Sequence, residues 1–262
     1  MRRTVLASLI ACLFATSAFA GGMNLRWDAC AGQGGVVNKA FACNTNSGTD
    51  YLFVSFVSDT ALPQILGVEF SIEVNSTSSA MPSWWLLRNA GSCRQAGIGM
   101  SLGAGPEAPG CTSPFLAAGA GGLASYTQQF AGADNFRRLL GVVAVAPEDA
   151  FTAPAGQELT VVRLNLNHSR TVGSPSCAGC STPVCLGLHK LKVTRPAGVG
   201  DVPIYLETTP GGSAVTWQGA AVTSYVDPFP QGNDPGPDRL ISCALPVPAR
   251  NHTWGGIKAF YR

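Results

Sequence analysis

Ser101, flanked by Gly99 and Gly103, fits the G-x-S-x-G spacing that presents a serine nucleophile at a sharp turn from strand to helix, and His168, His189 or His252 could follow an acid in the order such hydrolases use. The context opposes this reading, because Pro106 and Pro109 stand in the Gly- and Ala-rich stretch where the helix should start. Paired carboxylates are the second arrangement with chemistry in it, since one acid that protonates a leaving oxygen and another that acts as base or nucleophile suffice for glycoside hydrolysis. Glu69 and Glu73 fall on one face of an alternating run, while Glu148 and Asp149 are neighbours that point apart if extended; solvated surface is expected for both pairs. Oxygen ligands of the kind calcium takes occur in Asn44, Asn46 and Asp50 and again in Asp227, Asn233, Asp234 and Asp238. Neither set has EF-hand spacing, so turn chemistry is expected of them. The three histidines follow no zinc-ligand spacing. No catalytic residue, metal ligand or cofactor is assigned, calcium being the one ion whose ligand types occur together.

Nine cysteines are present, and Cys12 lies in a segment expected to be removed, which leaves Cys30, Cys43, Cys93, Cys111, Cys177, Cys180, Cys185 and Cys243. An even set in an exported chain reads as disulfides. Proximity favours Cys30 with Cys43 and Cys93 with Cys111, and the Cys177, Cys180, Cys185 cluster is expected to hold one internal bridge with its third sulfur reaching Cys243. Cys177 and Cys180 also have the spacing of a redox pair or a zinc knuckle. Pro175 before them and Pro183 after them make the segment a loop, however, where a redox pair normally opens a helix.

Trp84 and Trp85 are the ligand-binding candidates, because exposed indoles offer large, rigid apolar area for stacking. The competing expectation is that the pair packs under the loop that Cys93 closes. Trp27, Trp217 and Trp254 stand alone.

The elements that must position these groups are strands. Helical periodicity is scarce, and short β-rich runs bounded by Gly, Pro, Asn and Ser recur at 51–58, 65–75, 139–145, 159–167 and 184–194. Leu66, Val68, Phe70, Ile72 and Val74 alternate with polar residues, as do Val162, Leu164 and Leu166, so each run should bury one face and wet the other. Residues 51–56 are apolar on both faces and read as a central strand, whereas the mixed pattern of 184–194 suits an edge. The fold class is all-β, an antiparallel sandwich with disulfide-stapled loops. No polar linker interrupts 24–218, so one core is expected, with the Gly- and Ala-rich residues 97–122 as a long ordered loop.

Residues 1–20 have a basic start, an apolar run and an Ala-Phe-Ala end, the layout of a secretory signal peptide. Leu9 to Cys12 resembles a lipobox, yet the apolar character continues to Ala20, where a lipoprotein would turn polar. Residues 21–226 are expected as the sandwich and 227–262 as a Pro-rich strap with an aromatic tail, whose end serves as a final strand or as a sorting signal. The 17 Lys and Arg and 15 Asp and Glu become 15 against 15 once Arg2 and Arg3 are cleaved off. A neutral chain lacks the field that drives nucleic-acid binding. After the leader no apolar run approaches a membrane span, so the mature chain is expected as secreted or at the cell surface, without a transmembrane segment. Asn75, Asn167 and Asn251 begin glycosylation sequons, which matter only in a host that modifies them.

The succession of 54–57 (VSFV), 66–72 (LGVEFSI), 141–145 (GVVAV) and 155–164 (AGQELTVVRL) resembles the cohesin-like sandwiches of secreted bacterial proteins, over about residues 50–195. The resemblance implies a jelly-roll-like sandwich and a binding rather than catalytic habit; the eight cysteines and the Pro-rich tail depart from it. The chain is also similar to uncharacterised exported bacterial proteins, which implies a compartment. The expectation is a secreted, non-catalytic module that binds a polysaccharide or an envelope protein through Trp84 and Trp85. The alternatives are a structural subunit of a surface layer or filament and a secreted hydrolase.

Overall fold

The computed structural model describes residues 22–88, 90–127, 133–205, 212–226 and 240–245. The signal peptide expected at 1–20, most of the segment 227–262 and the second set of calcium-type ligands lie outside them. Fifteen strands are formed among the described residues: β1 (Gly22–Trp27), β2 (Asn38–Lys39), β3 (Thr49–Val57), β4 (Leu62–Ile65), β5 (Gly67–Ser76), β6 (Ile98–Ser101), β7 (Ala120–Thr127), β8 (Phe136–Ala144), β9 (Phe151–Ala153), β10 (Glu158–Asn167), β11 (Val184–Thr194), β12 (Val202–Tyr205), β13 (Ala214–Trp217), β14 (Ala221–Val226) and β15 (Leu240–Ala244).

Two sheets stack as an all-β sandwich. One has the order β1-β3-β10-β6; the other has β2-β13-β11-β5-β8-β7, with β12 also paired to β11. The pairings are antiparallel except the short parallel contact of β13 with β2. Two small ribbons, β14-β15 and β4-β9, stand apart from these sheets. The inner faces meet as alternation dictates: Leu25, Leu52, Val54, Phe56, Leu164 and Leu166 of the first sheet share one core with Val68, Phe70, Ile72, Val74, Leu139 and Val143 of the second.

Strand β11 is interior, not at an edge, since it pairs with β5 along its length and with β12 and β13 on its other side. Its mixed pattern comes from a bulge between Leu188 and Lys190. Leu186 and Leu188 face the core before the bulge and Leu191 and Val193 after it, so one extra residue shifts the alternation without exposing either set. Strand β3 lies between β1 and β10, as its two apolar faces require.

The disulfides are Cys30–Cys111, Cys43–Cys180, Cys93–Cys177 and Cys185–Cys243. The pairings expected from proximity, Cys30 with Cys43 and Cys93 with Cys111, do not form. Each bridge closes a loop of 58 to 137 residues, and loop-closure entropy grows slowly with length, so the cysteines that stacking brings together win over sequence neighbours. Cys177 and Cys180 are bonded to different partners rather than to each other, which leaves no thiolate for redox exchange or zinc. The third sulfur of that cluster, Cys185, does reach Cys243.

Candidate functional site

Trp84 and Trp85 are both 0 % exposed. They sit in a 3-10 turn over Ser83–Trp85, not in an extended segment, so successive indoles turn inward together instead of facing opposite ways. Trp84 stacks on Trp217 with ring centroids 5.3 Å apart, Trp85 meets Trp217 edge-on at 5.6 Å, and Trp27 approaches Trp217 at 5.9 Å. The Trp84 indole N–H donates to Thr171 Oγ1 at 3.0 Å, and Trp217 donates to the Cys180 carbonyl at 2.8 Å. Arg94 lies over the Trp84 ring, its guanidinium carbon 3.5 Å from the centroid, and donates to the carbonyls of Trp84 and Asn167. Burial pushes the Arg94 guanidinium down to about 9. Cys43–Cys180 and Cys93–Cys177 tie the segments around this cluster. The indoles of the expected ligand platform are therefore packed in the core instead of standing exposed.

The other sequence candidates are dispersed. Ser101 ends β6 and accepts a hydrogen bond from Asn165 Nδ2 at 2.7 Å, and the chain after it turns into loop 104–111 without a helix. His168 stacks on Phe41 and bonds Asp50 at 2.8 Å and the Ser47 carbonyl at 2.9 Å. Asp50 also pairs with Lys39, and Asn46 Oδ1 accepts from the backbone of Thr171 and Val172, so two of the three members of that calcium-type set are engaged by protein partners. Glu148 and Asp149 lie exposed in a 3-10 turn. Among the described residues, no three His, Cys, Asp or Glu side chains gather as metal ligands do.

Each outer face is half covered. On the four-stranded sheet, loop 104–111, held by Cys30–Cys111, packs Ala104 and Ala108 against Phe53. Glu158 fastens the adjacent turn by accepting the amides of Ala31 at 3.0 Å and Gly32 at 2.6 Å. Beside it Tyr51 faces outward, but Arg163 lies 4.5 Å over its ring and pairs with Glu107 at 2.5 Å.

On the seven-stranded sheet the β14-β15 hairpin does the covering, fixed by Cys185–Cys243. Ile241 sits against Gly187, where a Cβ would lie 3.0 Å from its Cδ1, so the missing side chain gives the hairpin room to lie close. Glu73, expected on solvated surface, is 1 % exposed beneath it. Its carboxylate accepts the Ile241 N–H at 3.1 Å and pairs with Arg138 at 2.7 Å, with His189 Nδ1 at 3.7 Å. Burial pushes the Glu73 carboxyl above its ordinary value, opposed by His189, Arg138 and the Ile241 amide.

Farther along the same strands the face is open among the described residues. Glu69, Ser71, Ala124, Leu140, Val142, Lys190 and Lys192 surround a depression of 420 Å³. Leu140 is 37 % and Val142 40 % exposed. Lys192 pairs with Glu69 at 3.0 Å and reaches Asp201 at 3.6 Å. Register builds the row: Val142 opposes Glu69, Leu140 opposes Ser71, and Lys192 and Lys190 oppose those two from the other side. Sequence reading placed Glu69 outward but missed Leu140 and Val142 because residues 139–145 look apolar throughout; the signal was that Leu140 and Val142 alternate with the core residues Leu139 and Val143.

Comparison with protein-family models, with curated proteins and with solved structures finds no match to this chain.

Proposed function

We propose that this protein is an exported, non-catalytic binding module whose partner is an envelope protein, engaged on the open half of the seven-stranded sheet. The observation that carries the reading is the make-up of that half-face. Leu140 and Val142 stand exposed among Glu69, Lys190 and Lys192, while the one aromatic ring of the lining, Phe70, is buried in the core. Exposed aromatic faces serve to grip sugar rings. An aliphatic centre with a charged rim is the anatomy of a protein contact. Four disulfides fit an oxidising compartment, and the leader expected at 1–20 and the resemblance of the sequence to cohesin-like sandwiches are the grounds for proposing export and a binding habit.

The test is depletion of the purified mature chain by envelopes of the producing cell and by a panel of insoluble polysaccharides, with Val142→Asp alongside the wild type. The expected result is loss onto envelopes, abolished by prior protease treatment of the envelopes and by Val142→Asp. Selective loss onto one polysaccharide, unchanged by Val142→Asp, would overturn the reading.

A further inference from the structure

His168 follows the last residue of β10, is 7 % exposed, and stands where two oxygens converge on its ring. Its Nε2 lies 2.8 Å from Asp50 Oδ2 and its Nδ1 2.9 Å from the Ser47 carbonyl oxygen, while Phe41 stacks on the ring with centroids 3.8 Å apart. Gly48, at φ 102°, lets the turn at 47–48 reach the ring, because a Cβ there would lie 2.9 Å from Nδ1. Both partners stand as acceptors. One is a backbone carbonyl, and the other, Asp50, also accepts from the Lys39 ammonium through its second oxygen, at 3.1 Å. A neutral imidazole carries a single N–H, so between these two oxygens it sets one nitrogen lone pair against an acceptor; an imidazolium donates to both.

We infer that His168 is a proton-operated latch for the turn at 47–48: the ring makes both contacts when it carries two protons and gives up one of them when it carries one. Proton uptake and closure of the turn are then one linked equilibrium, so closure is favoured as pH falls and weakened as pH rises. The charged groups around the ring fit this coupling. Asp50 of β3 faces it, Lys39 of β2 holds Asp50, and Asp28 holds Lys39 at 2.6 Å. Arg94 donates to the carbonyl of the preceding residue, Asn167, and Arg170 to the Cys93 carbonyl. The residues before the turn are fastened independently, by Asn46 on the amides of Thr171 and Val172 and by Cys43–Cys180, so the turn moves and not the whole loop. Release is passed inward: the His168 carbonyl accepts from Thr171 Oγ1 at 2.6 Å, which accepts the Trp84 indole N–H at 3.0 Å. This device lies outside the proposed binding surface and does not depend on it.

Nitrogen-15 NMR of the histidine rings and amide exchange of the mature chain, both followed from pH 5 to pH 8, test this in the wild type and in Asp50→Asn. In that variant the side-chain amide donates to Nε2 and its oxygen still faces Lys39, so a ring with one N–H satisfies both contacts. The expected wild-type result is two ring N–H groups on His168 at pH 5. Protection of the His168 amide, which donates to the Gly48 carbonyl at 3.1 Å, should fall about five- to tenfold towards pH 8 relative to Val54 in β3, and should not change in Asp50→Asn. Wild-type protection that is flat with pH, or that falls equally in Asp50→Asn, overturns the inference. Should Asp50→Asn not fold, the wild type alone decides. Loss of a ring proton and loss of His168 protection over the same pH interval support the latch, and a ring that loses its proton with protection unchanged overturns it.

Discussion

The backbone N–H of Ile241 points at the carboxylate of Glu73, 3.1 Å away, although 168 residues separate them. That bond fastens the β14-β15 hairpin to the sandwich through a carboxylate that burial makes harder to ionise. A carboxyl whose folded value is raised binds its proton more tightly in the folded state. Its stabilising contribution is therefore full below the ordinary carboxylate range and is lost as pH rises through the raised value. Compared with Glu73→Gln, the wild type should lose relative stability from pH 4 towards pH 8, by about 1.4 kcal/mol for each unit of displacement. Urea denaturation of both proteins across that range checks the slope; a rising relative stability would mean that the Arg138 pairing outweighs desolvation.

Trp84 and Trp85 are equally buried but differ in their indole nitrogens. Trp84 donates to Thr171, whereas the Trp85 Nε1 has no hydrogen-bond partner among the described residues. Trp84→Phe should therefore be more destabilising than Trp85→Phe by about 1 to 2 kcal/mol, the cost of leaving a buried acceptor unmade. Paired thermal or denaturant melts decide it, and equal losses would mean that ring volume alone matters at this end of the core.

Gly141 faces Phe70 across the β8-β5 pair, and a Cβ there would overlap the Phe70 ring. Gly141→Ala should cost about 1 to 3 kcal/mol through overpacking, whereas Gly122→Ala, where no atom lies within 4 Å of the added carbon, should be nearly neutral. Denaturation midpoints of the two variants test the contrast.

Replacing Cys185 and Cys243 together by serine should release the β14-β15 hairpin and leave the sandwich folded, with the loss of about 4 kcal/mol expected for a bridge closing a loop of this length. Hydrogen exchange should quicken in 221–226 and 240–244 and stay slow in β3, β5 and β10. Quickening throughout those central strands would show that the hairpin supports the whole core.

The parts of this fold that depend on local alternation were legible in the sequence. The core-facing sides of β5 and β10 follow directly from Val68, Phe70, Ile72, Val162 and Leu164, though Ser71 and Glu73 on the other side of β5 are buried too, and the limits of β11 match the run 184–194. What was hidden depends on segments meeting from afar. The bulge at Leu188 and Lys190 inserts one residue into a period of two and makes an interior strand look like an edge. The disulfide partners are set by how the layers stack. Trp84 and Trp85 could not be placed because a single 3-10 turn, which no periodicity announces, decides which way both rings point. Of the candidate surface, Glu69 was legible as an outward residue, whereas Lys190 and Lys192 fell on one face with Leu186 and Leu188 in the mixed pattern of β11. Nothing near Glu73 signals that a hairpin more than 140 residues later would cover part of the face.

The bridges also determine how the chain must become oxidised. Three of them join cysteines 81, 84 and 137 residues apart, while Cys177 and Cys180, or Cys30 and Cys43, meet far more often in an unfolded chain. The first sulfurs to collide are thus the wrong ones, and each early local bridge has to be undone by attack of a free thiolate before the sheets can close. Maturation of this protein should therefore be limited by reshuffling rather than by oxidation, faster with a disulfide isomerase present and stalled in non-native loops when a strong oxidant acts alone.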